Sequence, residues 1–307
     1  MKTRIAITGV TGYSGRYIAR EAERRGYEIL GLTNSPGGGE NPRWELTPLD
    51  WKHEDALADS MQGCRALINT YWVRFDHGSF SHGQAVENTR ILFRAAKKAG
   101  VERVVHTSIT HPDMASTLPY FRGKAQLEQD LEQLGIPYAI LRPAVLFGAT
   151  AAESILLNNM AWALRRLPLI GIPGDGRYRM QPIHVEDFAS CALDAMEKPQ
   201  QRLVIEAVGP ETYAFRDLFL LMGRLLGCPR PVVAMPAAWV RAAASVLGWW
   251  QRDVLLTADE IRGLMEDRLA VDGAHPAGET KLSVWLREHA DELGRSYASE
   301  LARRRNA

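Results

Sequence analysis

The chain has 307 residues, of which 46% are hydrophobic and 24% charged, a composition typical of a globular protein with a substantial core. Its formal net charge is +1, so no global field attracts nucleic acid or an anionic membrane, and nucleic acid is not an expected partner. The cysteines Cys64, Cys191 and Cys228 are widely separated and lack metal-binding spacing, which argues against a disulfide framework or a zinc site.

Short β-rich runs alternate with longer helical patterns in the first half of the chain. Runs such as RVVHTSI and YAILRP lack a clean alternation of apolar and polar residues, as expected of strands that are covered on both faces. The predicted strands are Arg4–Thr8, Glu28–Leu32, Trp44–Pro48, Ala66–Asn69, Val101–Ser108 and Tyr138–Arg142, and the predicted helices are Ser14–Arg25, Glu54–Met61, Ser81–Ala99 and Tyr120–Leu134. This order predicts an α/β fold with a Rossmann-type, doubly wound parallel sheet.

Helical patterns dominate after about Gly148. The predicted helices there are Ala152–Leu164, Val185–Met196, Ala214–Leu226, Thr257–Arg268 and Lys281–Glu292, with short strands near Arg179 and Val204. We therefore expect a Rossmann domain over residues 1–150, completed by parts of 178–208, and a smaller, mostly helical substrate lobe over 151–307. Ligands of such folds bind at the carboxyl edge of the sheet, where the strand order reverses.

The first predicted strand ends in TGVTGYSG, which places Gly9, Gly12 and Gly15 in the spacing G-x-x-G-x-x-G before a helix. The first glycine permits a tight turn, the second lets the backbone approach a pyrophosphate, and the third allows the helix to pack closely on the strand. The N–H groups at the helix start can then bind the phosphate. Three glycines alone could form a plain strand-to-helix turn, but their position after the first strand indicates a dinucleotide site.

The end of the second strand indicates which dinucleotide is bound. NAD sites usually carry Asp or Glu there for the ribose 2′-hydroxyl, whereas this strand ends in GLTNSPGGG and has no acid. Asn34 and Ser35, with Arg43 or Arg16 nearby, could instead bind a 2′-phosphate. NADP(H) is therefore favoured over NAD(H).

Asp50 follows the third strand, where a carboxylate could accept a hydrogen bond from the adenine amino group. An Asx turn or a helix N-cap is the alternative for this residue. The candidate contacts to the dinucleotide are Gly9, Thr11, Gly12, Tyr13, Ser14, Gly15, Asn34, Ser35, Asp50, Trp51, Asn69 and Thr70.

Tyr120 and Lys124 stand four residues apart at the head of a predicted helix, so both side chains lie on one face. A free phenol titrates near pH ~10, which is too high for efficient proton transfer near neutrality. A lysine cation one turn away favours the phenolate and lowers that pKa. Such a pair on an arbitrary helix is usually a solvated face, but the glycine loop upstream favours a catalytic role.

Together these motifs are similar to those of the short-chain dehydrogenase/reductase superfamily, in its extended and atypical branch. That branch includes nucleotide-sugar epimerases, the 39-kDa-type accessory subunit of respiratory complex I, and NmrA-like proteins. The motifs occur in the family's order through most of the chain: TGVTGYSG, VENTRILFRAAKKAGVERVVHTS, YFRGK, ILRPAVLFG, QPIHVEDFA and LTADEIRGLMED.

The resemblance implies roles for the matching positions. Tyr120 would exchange a proton with the substrate, and Lys124 would hydrogen-bond the nicotinamide ribose. Asn88 would support that array. Pro143 and Val145 would lie where backbone fixes the nicotinamide ring.

The family usually adds a hydroxyl after the fifth strand. In HTSITHPD the position that often carries it is Ile109, so Ser108 or Thr110 is the candidate substitute.

The loop after the fourth strand, NTYWVRFDHGSFSHG, contains the candidate substrate residues Tyr71, Trp72 and Arg74. Aromatic faces and one cation suit a flat or aromatic substrate with an acidic or carbonyl group. Packing of these aromatics beneath the helical lobe is the alternative. His111 could also contact substrate, although a lone loop histidine is more often only solvated. No motif indicates a metal.

The sequence thus predicts an NADP(H)-dependent oxidoreductase acting on a small, aromatic or quinone-like carbonyl or alcohol. The alternatives are an NADP(H)-binding regulatory or assembly factor without fast turnover, and an NAD-dependent sugar epimerase or dehydratase. The apolar run before the first motif is too short for a signal peptide, and the unpaired cysteines fit a reducing compartment, so we expect a cytoplasmic protein. It would be a monomer or homodimer without an integral membrane segment, and the apolar helix at 237–250 could be lobe core, a dimer face or a membrane-surface contact.

Overall fold

The computed structural model describes residues 2–34, 41, 43–76, 80–251, 253 and 257–299. The chain forms two compact units. The first contains the described residues up to Pro143 together with Glu186–Ala207, and the second contains Ala144–Val185 and the described residues from Val208 onwards. The chain thus leaves the first unit after Pro143 and returns to it after residue 185.

The elements of both units are numbered here in chain order. Up to Pro143 they are β1 Arg4–Thr8, α1 Tyr13–Arg24, β2 Glu28–Thr33, β3 Glu45–Pro48, α2 Glu54–Ser60, β4 Cys64–Asn69, α3 His82–Lys98, β5 Arg103–Thr107, α4 Pro119–Leu134 and β6 Tyr138–Leu141. They continue with β7 Leu146–Phe147, α5 Ile155–Arg166, β8 Ile170–Pro173, β9 Arg179–Met180, β10 Ile183–His184, α6 Val185–Glu197, β11 Arg202–Ile205, β12 Tyr213–Ala214, α7 Phe215–Leu225, β13 Val232–Met235, α8 Ala237–Gln251, α9 Ala258–Met265 and α10 Leu282–Glu288.

The first unit is built on a seven-stranded sheet in the order β11-β6-β5-β4-β1-β2-β3. Each pair of neighbouring strands is parallel. The strand order reverses between β1 and β4, so the crevice expected to bind ligands lies at the carboxyl ends of these two strands. The doubly wound parallel sheet predicted from the sequence is therefore confirmed.

The core of this unit explains why its strands read as unbroken apolar runs. Ile5, Ala6 and Ile7 of β1 are all fully buried, so the central strand is covered on both faces. Between the sheet and the helices α2, α3 and α4, Leu67, Phe93 and other buried side chains form one continuous cluster.

The second unit contains, among the residues that the structure describes, three two-stranded sheets in addition to its helices. They pair β7 with β10, β8 with β13 and β9 with β12. The sequence predicted the helices but only the strand near Arg179, because strands of two to four residues are too short to show a period. None of the helices in the described part of the chain combines the length and hydropathy needed to cross a membrane.

Candidate functional site

The glycine loop joins the end of β1 to the start of α1 in a conformation that depends on glycine. Gly9 has a φ of +68°, its N–H donates to the Leu32 carbonyl at 2.8 Å, and its carbonyl accepts from the Gly12 N–H at 2.8 Å. A Cβ atom on Gly15 would lie 2.1 Å from the Gly9 carbonyl oxygen. Helix α1 can therefore pack directly on the loop only because residue 15 has no side chain.

The start of α1 is suited to an anion. Gly12 is the N-cap residue, no side chain caps the helix, and the first turn contains no acidic residue. The positive end of the helix dipole is therefore available to an anion without a competing carboxylate in the first turn. Thr11, Tyr13 and Ser14 are half-buried in this loop and first turn, as a set of phosphate-contacting residues would be.

The end of β2 lies beside this loop. The hydroxyl groups of Thr11 and Thr33 are 3.0 Å apart, which ties the loop to the strand end. The next residue, Asn34, is exposed, and neither Thr33 nor Asn34 is acidic. Ser35 lies outside the described residues. The carboxylate expected of an NAD-type ribose contact is thus missing from the described end of this strand.

Asp50 and Trp51 follow β3 and have local partners. The Asp50 carboxylate accepts from the Lys52 backbone N–H at 3.0 Å and bonds the His53 ring nitrogen at 2.7 Å. The bond to His53 holds the pKa of this exposed carboxyl below its usual range. This is the Asx turn expected as one alternative; the N-cap of α2 is His53, not Asp50. The Trp51 ring packs on Tyr71 with centroids 4.8 Å apart.

A buried polar cluster joins the carboxyl ends of β1, β4 and β5. Asn69 is fully buried; its Oδ1 accepts from Thr8 Oγ1 at 2.9 Å and from the Tyr71 N–H at 3.0 Å, and its Nδ2 donates to His106 at 3.0 Å. Thr70 Oγ1 donates to the Thr8 carbonyl at 2.6 Å. The side chains of Asn69 and Thr70 therefore bind neighbouring strands and fix the start of the loop that follows β4.

Tyr120 and Lys124 lie one turn apart at the start of α4, next to the carboxyl end of β5. Pro119 occupies the first turn of the helix, where a missing N–H costs nothing. Lys124 is only 1% exposed, and its Nζ donates to the Thr107 carbonyl at 2.6 Å. Burial lowers the pKa of the Lys124 ammonium to about 7, although the Glu128 carboxylate opposes this shift. The lysine is therefore a cation for only part of the time near neutral pH.

Trp72 covers this lysine. The Nζ atom of Lys124 lies 4.2 Å from the centroid of the indole, and the Tyr120 ring meets the same indole edge-on with centroids 5.6 Å apart. Trp72 approaches so closely because residue 123 is glycine: a Cβ there would lie 2.9 Å from Trp72 Cη2. His82 packs against both rings, with centroid distances of 5.7 Å to Tyr120 and 5.9 Å to Trp72. We call Trp72, His82 and Tyr120 the aromatic cluster.

Asn88 lies near this cluster but bonds elsewhere. Its Nδ2 donates to the Tyr71 hydroxyl at 2.9 Å, and its Oδ1 accepts from Gln84 at 2.8 Å. Burial raises the pKa of Tyr71, although the bond from Asn88 opposes the shift. The asparagine thus holds the loop tyrosine against α3.

The candidate hydroxyl residues after β5 also have protein partners. Ser108 Oγ donates to Glu128, and Glu128 accepts two further bonds from Arg142, at 3.0 and 2.6 Å. Arg142 also bonds Glu206 at 3.0 Å. We call these four residues the Glu128 network. Its signal in the sequence was weak: Glu128 lies four residues after Lys124, on the same face of α4.

The remaining predicted residues are scattered. Thr110 is fully buried, and its N–H donates to the Pro143 carbonyl at 3.2 Å. His111 is exposed and has a φ of +51°. The Arg74 guanidinium lies 5.6 Å from the Phe75 ring centroid. Val145 belongs to the second unit and packs on its core.

Comparison with known proteins identifies the family. The model of the NAD dependent epimerase/dehydratase family matches residues 5–208. Quinone oxidoreductase 2 of Escherichia coli K12 is 29% identical over 220 residues, which cover 70% of this chain and 71% of that protein.

The subunit 9 of the mouse mitochondrial NADH dehydrogenase [ubiquinone] 1 alpha subcomplex is 27% identical over 262 residues, 76% of this chain; the match spans only 65% of that longer protein. The crystal structure of the Escherichia coli NADPH-dependent quinone oxidoreductase QOR2 complexed with NADPH has the same fold, with a TM-score of 0.72 at 24% identity, covering 94% of this chain and 99% of that one. Because the family model matches well over half of its length, this chain belongs to the NAD-dependent epimerase/dehydratase family.

Proposed function

We propose that this protein is an NADP(H)-dependent oxidoreductase that transfers a hydride to or from a small, aromatic or quinone-like carbonyl or alcohol. One observation carries the proposal: Tyr120 and Lys124 share the start of α4, and Lys124 Nζ is anchored to the last residue of β5 at 2.6 Å. β5 is separated from β1 and its glycine loop only by β4, so both features lie at the same edge of the sheet. A bound dinucleotide could therefore extend from one to the other.

The glycine loop and the start of α1 would hold the diphosphate of the dinucleotide. When bound, NADPH supplies the hydride, and the protein supplies orientation and the proton. The non-acidic end of β2 supports NADP(H) over NAD(H), because a carboxylate there would repel a 2′-phosphate. The crystal structure of the related quinone oxidoreductase with NADPH supports the same preference.

Tyr120 would donate the proton to a substrate carbonyl, or accept it from an alcohol. Lys124, when protonated, favours the phenolate form of a tyrosine one turn away. Because its pKa is about 7, the lysine can change its charge near neutral pH, and Glu128 favours the charged form. Trp72 keeps water away from Lys124 Nζ, so the charge acts in a medium that screens it weakly.

The aromatic cluster favours a flat substrate. Rings of Trp72, His82 and Tyr120 meet edge to face or tilted at 5.6 to 5.9 Å, which leaves a π-rich surface around the phenol. Trp72 Nε1 is buried without a hydrogen-bond partner among the described residues. A carbonyl oxygen of a quinone would satisfy that donor once the indole turns to expose it. The name of the Escherichia coli relative, quinone oxidoreductase 2, supports this substrate class.

The test is oxidation of NADPH, followed by its absorbance, against a panel of quinones, aldehydes and ketones. The Tyr120→Phe variant should lose roughly 10²- to 10⁴-fold in kcat while it retains NADPH affinity, because only the proton donor is removed. Tyr27→Phe, which removes a remote hydroxyl that bonds Glu197, is the matched control and should keep full activity. Full activity of Tyr120→Phe, or no affinity for either dinucleotide in calorimetry, would overturn the proposal.

A second candidate is an NADP(H)-binding regulatory or assembly factor without fast turnover. Three contacts favour it: Trp72 covers Lys124, Glu128 engages the Ser108 hydroxyl, and Asn88 bonds Tyr71 instead of the Tyr120–Lys124 pair. The mouse relative is itself a subunit of a larger complex by name. NADPH binding at micromolar affinity without turnover on the whole panel would favour this candidate.

Trp72→Phe separates the two candidates further. A smaller ring leaves room above Gly123 and uncovers Lys124. If the indole blocks the cofactor, this variant should bind NADPH about fivefold more tightly, since a cation–π contact of about 1 kcal/mol no longer opposes binding. If the indole instead binds substrate, NADPH affinity should stay unchanged and KM should rise.

A further inference from the structure

Helix α8 in the second unit has an apolar outward face. Trp239, Val246, Trp249 and Trp250 are between 67% and 84% exposed. With Ala242 and Ala243, they recur at the helical spacing i, i+3, i+4, i+7, i+10 and i+11, so they form one stripe. We call these six residues the tryptophan face.

The opposite side of α8 is apolar as well. Ala237, Val240, Ala244 and Leu247 are half-buried and Gly248 is buried, so this side packs on the second unit. A helix that is apolar on two opposite sides normally has both sides covered, by protein or by lipid. Three exposed tryptophans on fifteen residues therefore indicate that something covers the tryptophan face.

The charges of the sequence segment that contains α8 indicate what covers it. Over residues 218–252 the chain has four arginines, Arg224, Arg230, Arg241 and Arg252, and no aspartate, glutamate or lysine. The whole chain is nearly balanced, with 37 basic and 36 acidic residues, so this segment of the sequence carries a local excess of positive charge. An anionic surface would be attracted to it, whereas the same face of a second copy would bring like charges together.

We propose that the tryptophan face binds peripherally to an anionic lipid surface. Tryptophan is the residue that prefers the boundary between lipid and water, where its ring is in an apolar layer and its N–H remains hydrated. α8 has 15 residues, about 22 Å of helix, and would lie in the plane of the surface. Arg241 is exposed on the same helix but off the stripe, and would add positive charge close to the anionic surface.

The experiment is co-sedimentation of the full chain with vesicles of phosphatidylcholine, with and without phosphatidylglycerol. Wild-type protein should sediment with the anionic vesicles and much less with the neutral ones, and added salt should weaken the binding. The double variant Trp239→Ser/Trp250→Ser should bind at least about tenfold more weakly, because it removes apolar area from the contact. Arg241→Gln should bind about fivefold more weakly.

The matched control is Leu169→Ser/Val284→Ser, which removes two exposed apolar side chains of the same unit outside the tryptophan face. It should bind like wild type, and circular dichroism should show that all variants are folded. Equal binding of wild type and Trp239→Ser/Trp250→Ser, or no preference for anionic vesicles, would overturn the proposal. A dimer in light scattering that this variant dissociates, without vesicle binding by wild type, would show that a second copy covers the face instead.

Discussion

The glycine loop after β1 and the corner between β5 and α4 adjoin the same edge of the sheet. Backbone contacts determine the structure of the loop, whereas side-chain contacts determine the properties of the corner. In the loop, the contacts are made by the backbone. The Gly12 N–H donates to the Gly9 carbonyl, and residue 15 must be glycine because a side chain there would clash with that carbonyl. In the corner, Lys124 Nζ also meets a backbone carbonyl, that of Thr107, but side chains set its exposure and its charge, because Trp72 covers it and Glu128 opposes the loss of its charge.

This difference predicts how each region responds to change. A backbone site tolerates almost any neighbouring side chain but no added atom at its glycines. A side-chain site depends on contacts that can each be altered without moving the backbone, so substitutions there should change charge and pH dependence more than fold.

The largest effect should come from Gly15→Ala. The new Cβ would meet two backbone oxygens, those of Gly9 at 2.1 Å and Thr8 at 2.8 Å, neither of which can rotate away. We expect the free energy of unfolding to fall by about 5 kcal/mol or more. Urea unfolding would measure the loss, and calorimetry with NADPH should detect no binding.

Gly83→Ala is the control for this change. Gly83 lies in α3, and a Cβ there would be 3.9 Å from its nearest neighbour, Ser81 Oγ. The substitution should therefore stabilise the protein by up to about 1 kcal/mol through helix propensity. Equal stability of the two variants would show that α1 does not need a glycine at position 15 to pack on the loop.

The next effect concerns the corner, where Lys124→Met should stabilise the protein in a pH-dependent way. The pKa of Lys124 is about 7 in the folded chain and 10.5 in its reference state, so folding must discharge the amine or bury a cation. The penalty is full below pH 7, shrinks as the pH rises from 7 towards 10.5, and then vanishes. Replacement by methionine should thus raise the free energy of unfolding by about 3 to 5 kcal/mol at low pH. The gain is reduced by the contribution of the hydrogen bond to Thr107, which methionine cannot make.

Urea unfolding at pH values on either side of this range would measure the effect. Lys97→Met is the matched control, because Lys97 is exposed and also donates to a backbone carbonyl, that of Leu134, at 2.7 Å. It should change stability little at any pH. A gain for Lys124→Met that did not depend on pH would mean that the buried amine is not the cause.

Glu128→Gln should have a smaller effect and test the Glu128 network. The amide keeps a partner for Ser108 but loses the charge that pairs with Arg142, which is three-quarters buried. Breaking such a pair should cost about 2 kcal/mol, since Arg142 retains Glu206. Glu132→Gln, one turn later on the same face of α4 but exposed, is the control and should cost almost nothing.

A second readout separates a positioning role of Glu128 from a purely structural one. Glu128 raises the pKa of Lys124, so its neutral analogue should let that pKa fall further. If Lys124 assists catalysis as a cation, the basic limb of the pH–rate profile should move to lower pH in Glu128→Gln. An unchanged profile with lower stability would leave the network a structural role only.

How far the sequence could predict these regions follows from the same distinction. β1 was predicted at its observed ends, Arg4–Thr8, and the spacing of Tyr120 and Lys124 placed both on one face of α4, because strand and helix periods are local properties. The parallel sheet followed from the alternation of elements. The short pair β7–β10 could not be predicted, since two residues carry no periodic signal.

The contacts of individual side chains could not be predicted either. Ser108 was a candidate for the substrate, but its hydroxyl meets Glu128, which is twenty residues further along the chain. Asn69 was a candidate for the cofactor, yet its amide joins Thr8 to His106 across three strands. Such partners are determined by packing between elements that are distant in the sequence, and residue spacing carries no information about that packing.

The smallest effect is expected for Asp50→Ala, which tests whether a side chain predicted by position alone contacts the cofactor. The carboxylate is exposed, and its bonds to Lys52 and His53 form a local turn. We expect almost no loss in stability, and NADPH affinity should stay within about twofold of wild type.

Asp55→Ala, which removes an exposed carboxylate that contacts Lys98, is the control for general surface charge. A tenfold loss of NADPH affinity in Asp50→Ala alone, about 1.4 kcal/mol, would mean that this carboxylate accepts from the adenine amino group after all. In that case the turn around Asp50 would have to open on binding. The adenine amino group would then replace His53 at the Asp50 carboxylate. The position of Asp50 after β3 would thus predict its contact with the cofactor better than its hydrogen bonds in this structure do.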